Sequence, residues 1–227
     1  MTSKQDKLLK IANLAAKRRE DNYKHYQSLS GIFGGLYDKH EFVSPWTISA
    51  CNVDSSLMLI AQDWASEDGL LSEQDESKRN AIQRLGYCPS LQTNKNLQRL
   101  LHDHFALTFE DVYATNAFVF IKPGGMSARI PNADLLYSVK NYTLEEIKIV
   151  LPKMVICIGA NTHKTLIRSI GARETSIEES LKSPTEFLGA AIYGSYHTGA
   201  WGTKAAGGDK GMRDLWKSLG EKFDQHR

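Results

Sequence analysis

The chain has 227 residues, of which 41% are hydrophobic and 24% are charged, and its formal net charge is +2. This length and composition are typical of a globular protein with one large domain and a substantial core. No apolar run is long enough to span a membrane, and the three widely spaced cysteines predict no disulfide framework, structural zinc site or four-cysteine iron–sulfur cluster.

The N-terminal segment is polar and basic. Over residues 1–30, seven Lys or Arg residues stand against three Asp or Glu residues. A solvated helix face and a phosphate-binding face explain this excess equally well. We expect a helix over residues 4–28 and a glycine-rich loop after it, and we treat residues 1–45 as a helical extension of an α/β domain at 46–227. Because the first residues lack the apolar core of a secretory signal, we expect a cytoplasmic protein.

Apolar runs alternate with helical patterns along the rest of the chain. Strands are predicted at 57–61, 112–120, 154–158 and 190–196, and helices at 96–105, 143–151, 162–170 and 209–223. Thr143 and Glu146 have the spacing of a capping box that opens the second of these helices. The order predicts an α/β fold, a three-layer sandwich around a central, mostly parallel four-stranded sheet.

Polar side chains follow the predicted strands, where such sheets bind ligands. Gln62 and Asp63 come after the first strand, Asn116 lies within the second, and His197 follows the fourth. An acid, an amide and an imidazole that converge there suit water activation, recognition of a polar ring and stabilisation of an oxyanion. Taken singly, Asp63 is better explained as a helix N-cap or turn former, while Asn116 could satisfy loop backbone and His197 could be an ordinary partly buried histidine.

Four short motifs resemble those of the uracil-DNA glycosylase superfamily in order and spacing, over about residues 50–220. They are AQDWA at 61–65, YATNA at 113–117, PKMVICIGA at 152–160 and YHTG at 196–199. The first resembles the Gly-Gln-Asp-Pro-Tyr motif of the classical enzymes, and the last stands where the family has His-Pro-Ser. The chain resembles a divergent member, since Trp64 and Ala65 replace the Pro-Tyr pair and the cysteines of the iron–sulfur branch are missing.

The resemblance implies a role for each matching residue. Asp63 would position or activate the attacking water, and His197 would donate to the departing base. The Gln62 backbone and the Asn116 amide would hold the base, and Tyr87 would stack on it. Three residues in and after the last motif would contact DNA: Thr198, Gly199 and Trp201. Trp201 would be the wedge that fills the gap left in the base stack.

We therefore expect a hydrolase of N-glycosidic bonds that flips out uracil or a related damaged base and excises it from DNA. It would need no metal or other cofactor, act as a monomer on single- or double-stranded DNA, and have no membrane partner. Two alternatives remain open. A non-catalytic nucleic-acid-binding relative would bind DNA with a steep salt dependence, and a hydrolase of free nucleosides or nucleotides would turn over deoxyuridine itself.

Overall fold

The computed structural model describes residues 2–24 and 26–226. Its centre is a five-stranded sheet in the order β2-β1-β3-β5-β4, in which β4 alone pairs antiparallel to its neighbour. The strands are β1 (Leu57–Asp63), β2 (Tyr113–Phe118), β3 (Met154–Ile158), β4 (Thr185–Phe187) and β5 (Ala190–Ser195). The α/β class and the mostly parallel sheet predicted from the sequence are confirmed.

Helices cover both faces of this sheet. They are α1 (Lys4–Glu20), α2 (Glu67–Leu71), α3 (Glu76–Leu85), α4 (Gln92–Phe105), α5 (Asn132–Ser138), α6 (Leu144–Val150), α7 (Ala160–Ser169), α8 (Ile177–Lys182), α9 (Ala200–Ala205) and α10 (Gly208–His226). None of the helices in the described part of the chain combines the length and the apolar character needed to cross a membrane.

Alternation along the strands builds two separate cores. Met58 and Ile60 of β1 face one side, where α1, α5, α6 and α7 pack, while Leu57 and Leu59 face the layer of α4, α8 and α10. Trp216 of α10 is completely buried in this second core, as its helical spacing predicts. Because side chains of a strand point alternately to opposite faces, the continuous apolar run of β1 is the pattern expected of a doubly covered strand.

The predicted number of strands was wrong by one. The additional strand, β4, has three residues and pairs with the edge of β5 as an antiparallel hairpin. A run this short contains too few residues to show an alternation, so its identity as a strand comes from its pairing.

The N-terminal helix ends earlier than its charge and apolar pattern predict. It stops at Glu20, where Asp21 takes an extended conformation and accepts hydrogen bonds from the hydroxyls of Tyr137 and Tyr142. Upstream, Ile11, Leu14 and Ala15 of α1 are buried in the same core as the strands. Tertiary contacts with α5 and the turn after it therefore set where this helix ends.

The predicted capping box at Thr143 was also wrong. Thr143 has helical backbone angles and makes no side-chain cap bond, because one π-helical turn, Val139–Thr143, joins α5 to α6. Glu146 is fully buried instead, and it accepts hydrogen bonds from the hydroxyls of Tyr113 (2.7 Å) and Thr115 (3.0 Å). The carboxyl group thus joins α6 to β2 across the core.

The connections place a crevice beside β1. The chain leaves β1 for β2 on one side, and it returns to β3 on the other side of β1. Since β1, β2, β3 and β5 are parallel, their carboxyl ends meet at one edge of the sheet, and a change of winding direction opens a crevice there.

Candidate functional site

A cavity of about 590 Å³ lies at the carboxyl ends of the parallel strands. Its wall comes from the end of β1, the segment after β2, the start of α7 and the segment after β5. The polar residues that line it are Gln62, Asp63, Lys122, Ser127, Arg129, Asn132, Asn161 and His197. Three of the residues predicted from the sequence, Gln62, Asp63 and His197, thus line one cavity, and its volume is within the range of small-molecule sites.

Asp63 is the last residue of β1, and its carboxylate is only 13% exposed. Its Oδ2 lies 2.9 Å from Nζ of Lys122, whose side chain is 4% exposed. Its Oδ1 accepts a weaker hydrogen bond from Nε2 of Gln62 at 3.3 Å. A carboxylate so deeply placed stays charged at modest cost only when a cation compensates it, and Lys122 supplies that cation.

Lys122 was not predicted from the sequence. It follows the apolar run of β2, and its Nζ also donates to the carbonyl oxygen of Met126 at 2.6 Å. The sequence does contain one signal for it, because a lysine directly after a buried strand and before Gly124 is unlike the surrounding residues. A buried lysine requires an acidic partner, but the sequence does not indicate which one.

His197 lies in the segment between β5 and α9. Its Nδ1 accepts a hydrogen bond from the backbone N–H of Gly199 at 3.0 Å. Desolvation lowers the pKa of His197 below its ordinary value; the charge of Asp63 opposes this shift and the charge of Lys122 adds to it. His197 is exposed, and in the neutral form of its ring the proton lies on Nε2, since Nδ1 is occupied as an acceptor.

Two glycines hold this histidine in place. A Cβ on Gly199 would lie 2.9 Å from Nδ1 of His197, and a Cβ on Gly202 would lie 1.9 Å from the His197 carbonyl oxygen. The first residues of α9 therefore pack directly against the backbone and ring of His197. No larger residue fits at Gly202 without moving the helix.

Gln62 and Asn161 meet across the crevice. Nδ2 of Asn161 donates to Oε1 of Gln62 at 3.3 Å, which links the end of β1 to the first turn of α7. Gly159, with φ of 107°, turns the chain from β3 directly into this helix. The N-terminus of α7 thus faces the cavity, where unpaired N–H groups and the helix dipole favour negative charge.

Asn116 is not among the residues that line the cavity. It pairs with Ala61 in the sheet, its side chain is 2% exposed, and its Oδ1 accepts a hydrogen bond from Oγ of Ser44 at 2.5 Å. The structure therefore shows this amide as a buried link between β2 and the residues before β1.

Tyr87 lies outside the cavity too, packed edge-on against Phe109 with ring centroids 5.2 Å apart. Its hydroxyl accepts a hydrogen bond from Nε2 of Gln98 at 2.7 Å. Trp64, which follows Asp63, donates from Nε1 to the carbonyl oxygen of Gly86 at 2.7 Å and packs on Tyr37. Both rings support the segment around Gly86.

The three residues predicted to contact DNA have different surroundings. Thr198 is fully buried, and its hydroxyl donates to the Thr93 carbonyl at 3.0 Å. Gly199 supports His197 as described above. Trp201, on the first turn of α9, is 85% exposed, and Nζ of Lys204 lies 5.9 Å from its ring centroid. Of the three, Trp201 alone presents its side chain to solvent.

Positive groups outnumber negative ones around the cavity. Lys122, Arg129 and the N-terminus of α7 oppose the single carboxylate of Asp63 among the lining residues. Within residues 2–24 and 26–226, no three His, Cys, Asp or Glu side chains converge in a way that could hold a metal ion. The chemistry that these groups offer is hydrogen-bond donation from a neutral imidazole, a nearby carboxylate, and cations suited to an anionic ligand.

No protein-family model matches the chain, and no curated protein matches it either.

Proposed function

We propose that this chain is a DNA glycosylase that excises uracil or a related damaged base by hydrolysis. The observation that carries the proposal is that Asp63, the last residue of β1, and His197, two residues beyond the end of β5, line the same cavity. The resemblance of residues 61–65 and 196–199 to the uracil-DNA glycosylase superfamily supports it, since these two stretches contain the same two residues.

The chemistry of each side chain suits this reaction. Breaking the glycosidic bond leaves negative charge on the base and positive charge on the sugar. A neutral His197 that keeps its proton on Nε2 would donate to the base oxygen as this charge builds, an interaction worth about 3 kcal/mol where one such donor has been removed from other enzymes. The Asp63 carboxylate would offset the charge on the sugar and orient the attacking water.

The charge of the cavity wall favours a polyanionic substrate. Arg129 is exposed at the opening, and the first turn of α7 faces the same space. These groups would hold the phosphates that flank a flipped-out nucleotide. The side-chain amides of Gln62 and Asn161 lie in the same wall, and we infer that they contact the polar edge of the base.

The proposed role of Asn116 requires a rearrangement. Its Oδ1 is bonded to Ser44, and the residue is almost fully buried, so it would reach a base only after this hydrogen bond opened. We therefore propose base recognition by Gln62 and Asn161 without Asn116 in the resting conformation.

The test is release of uracil from single- and double-stranded oligonucleotides, followed by strand scission in alkali. Wild-type protein is expected to cleave at the uracil, and Asp63→Asn and His197→Gln are each expected to lose at least about a hundredfold in rate. Asp103→Asn and His102→Gln change the same residue types on exposed positions of α4, and they should behave as wild type. Equal rates for wild type and Asp63→Asn would rule out the catalytic assignment.

A second candidate is a nucleic-acid-binding relative without catalysis. Two observations favour it. Asp63 forms an ion pair with Lys122, and Asn116 accepts a hydrogen bond from Ser44. This candidate predicts DNA affinity that falls steeply with salt and no turnover of any modified base by the wild type. The same oligonucleotide panel, combined with a salt titration, separates it from the glycosylase.

A further inference from the structure

We propose that Lys122 is a positioning residue, whose ammonium group holds the Asp63 carboxylate in place and fixes the segment 122–131 to it. This segment forms one wall of the cavity and includes Arg129. Where it concerns catalysis, the inference rests on the proposed function; where it concerns the wall of the cavity, it does not depend on any activity.

The two described contacts of the ammonium group carry the proposal. Nζ lies 2.9 Å from Oδ2 of Asp63 and 2.6 Å from the carbonyl oxygen of Met126. The first contact joins Lys122 to the last residue of β1, and the second joins it to Met126, four residues later in the same segment. Lys122 therefore connects the end of the strand to the tip of the segment with a single side chain.

The backbone of the same segment is anchored on its other side. The Lys122 carbonyl accepts from the N–H of Glu67 at 2.9 Å, and the Gly124 carbonyl accepts from the N–H of Asp68 at 3.1 Å. These bonds attach residues 122–124 to the start of α2. The stretch from Met126 to Arg129 lies beyond them, so the ammonium group is the described contact that ties this stretch to the strand.

Burial makes the pair mutually dependent. The two side chains are 4% and 13% exposed, and an unpaired charge at such positions is strongly unfavourable. Removal of Lys122 leaves Asp63 with the weak bond from Gln62 alone among its described partners. We expect the carboxylate to turn toward water in that case, and residues 125–129 to open, while Ile130 stays buried in the core.

The first arm of the experiment measures how often the wall of the cavity opens, and it needs no substrate. Trypsin cleaves after Arg129 when the segment opens, and mass spectrometry identifies the cut. Lys122→Ala and Asp63→Asn should each accelerate this cleavage by about tenfold or more, because local opening controls the rate. Lys7→Ala is the matched control, since Lys7 is 13% exposed and pairs with Asp54 at 3.0 Å away from the cavity. Cleavage after Arg129 at the wild-type rate in Lys122→Ala would overturn the proposal.

The second arm reads catalysis on the uracil-containing oligonucleotide. Lys122→Ala should lower kcat by about tenfold or more, because Asp63 loses its position, and should raise KM, because Arg129 moves with the wall of the cavity. Added propylammonium should restore part of the rate, while propanol should not, because only the former returns the missing cation. A wild-type rate in Lys122→Ala, or equal effects of the two additives, would contradict the role of the ammonium group. A wild type that releases no base removes the proposed function, and the trypsin arm then decides on Lys122 by itself.

Discussion

The backbone N–H of Gly199 donates to Nδ1 of His197 across 3.0 Å, and a Cβ at Gly199 would lie 2.9 Å from the same nitrogen. The glycine thus fixes both the tautomer and the position of the imidazole. Its backbone angles, φ of −83° and ψ of 175°, are accessible to any residue, so the constraint lies in the space beside the ring and not in the backbone.

Gly199→Ala is therefore expected to displace the imidazole while the fold stays intact. We predict a loss of about tenfold or more in the rate of uracil release, with the thermal midpoint close to that of wild type, measured by single-turnover kinetics and thermal unfolding. Gly31→Ala is the control, because the nearest atom to its added Cβ is 3.5 Å away and the residue is remote from the cavity. An unchanged rate in Gly199→Ala would contradict the role of Gly199 in placing His197.

The link between Ser44 and Asn116 predicts a coupled effect on stability. Both residues are at most 2% exposed. Ser44→Ala and Asn116→Ala should each lower the free energy of unfolding by about 1–3 kcal/mol, since each leaves a buried polar group without its partner. The double variant should cost less than the sum, measured by urea denaturation. Ser49→Ala, whose hydroxyl bonds to the Leu85 carbonyl, should be additive with Asn116→Ala. Additive costs for the Ser44 pair would contradict the link.

The buried carboxyl group of Glu146 should make the free energy of unfolding fall as pH rises. Burial raises its pKa to about 8, although the hydroxyls of Tyr113 and Thr115 oppose the shift. Between its ordinary value of 4.5 and about 8, the folded state keeps a proton that the unfolded chain has released. The free energy of unfolding should therefore fall across this window by up to about 1.4 kcal/mol per pH unit. Glu146→Gln should remove this slope in urea denaturation at pH 5, 6.5 and 8. Glu145→Gln, on the exposed neighbour, should retain it.

His163 predicts the opposite dependence on the acid side. Burial lowers its pKa to about 4 from 6.5, and the side chain is fully enclosed against Gly194. Below pH 6.5 the unfolded chain binds a proton that the folded state rejects, so stability should fall as pH drops toward 4. His163→Leu should reduce this acid loss in denaturant titrations between pH 4 and 7. A wild-type slope in that variant, or an equal reduction in His102→Leu on the exposed face of α4, would refute the assignment.

Replacement of Trp201 should weaken DNA binding and leave the stability of the fold nearly unchanged. Its ring is 85% exposed, so Trp201→Ala should change the free energy of unfolding by less than about 0.5 kcal/mol. If the indole stacks on a base, affinity for a uracil-containing strand should weaken by about 1–3 kcal/mol. Fluorescence anisotropy at fixed salt measures this, and Leu9→Ala, 61% exposed on α1, is the control. Equal affinities would remove Trp201 from the DNA-binding surface.

The sequence by itself determined the class of fold. It also indicated that a candidate site lies at the edge of the sheet where the parallel strands have their carboxyl ends. The apolar runs at β1, β2, β3 and β5 were long enough to show burial, and parallel strands bring their carboxyl ends together. This is why the sequence places Gln62, Asp63 and His197 in one crevice. Each of them directly follows, or ends, a strand that the pattern revealed. Asn116, predicted to lie there too, is bonded to Ser44 and does not line the cavity.

The tertiary structure alone decided which polar groups meet. Ser44 and Asn116 are 72 residues apart and Asp63 and Lys122 are 59 apart, and nothing in the local pattern of either partner names the other. The same holds for Glu146, which has the spacing of a helix cap and is instead bonded to two hydroxyls of β2. Periodicity reports how much of a residue is buried, whereas a hydrogen bond or ion pair depends on the position of two atoms that only the folded chain brings together.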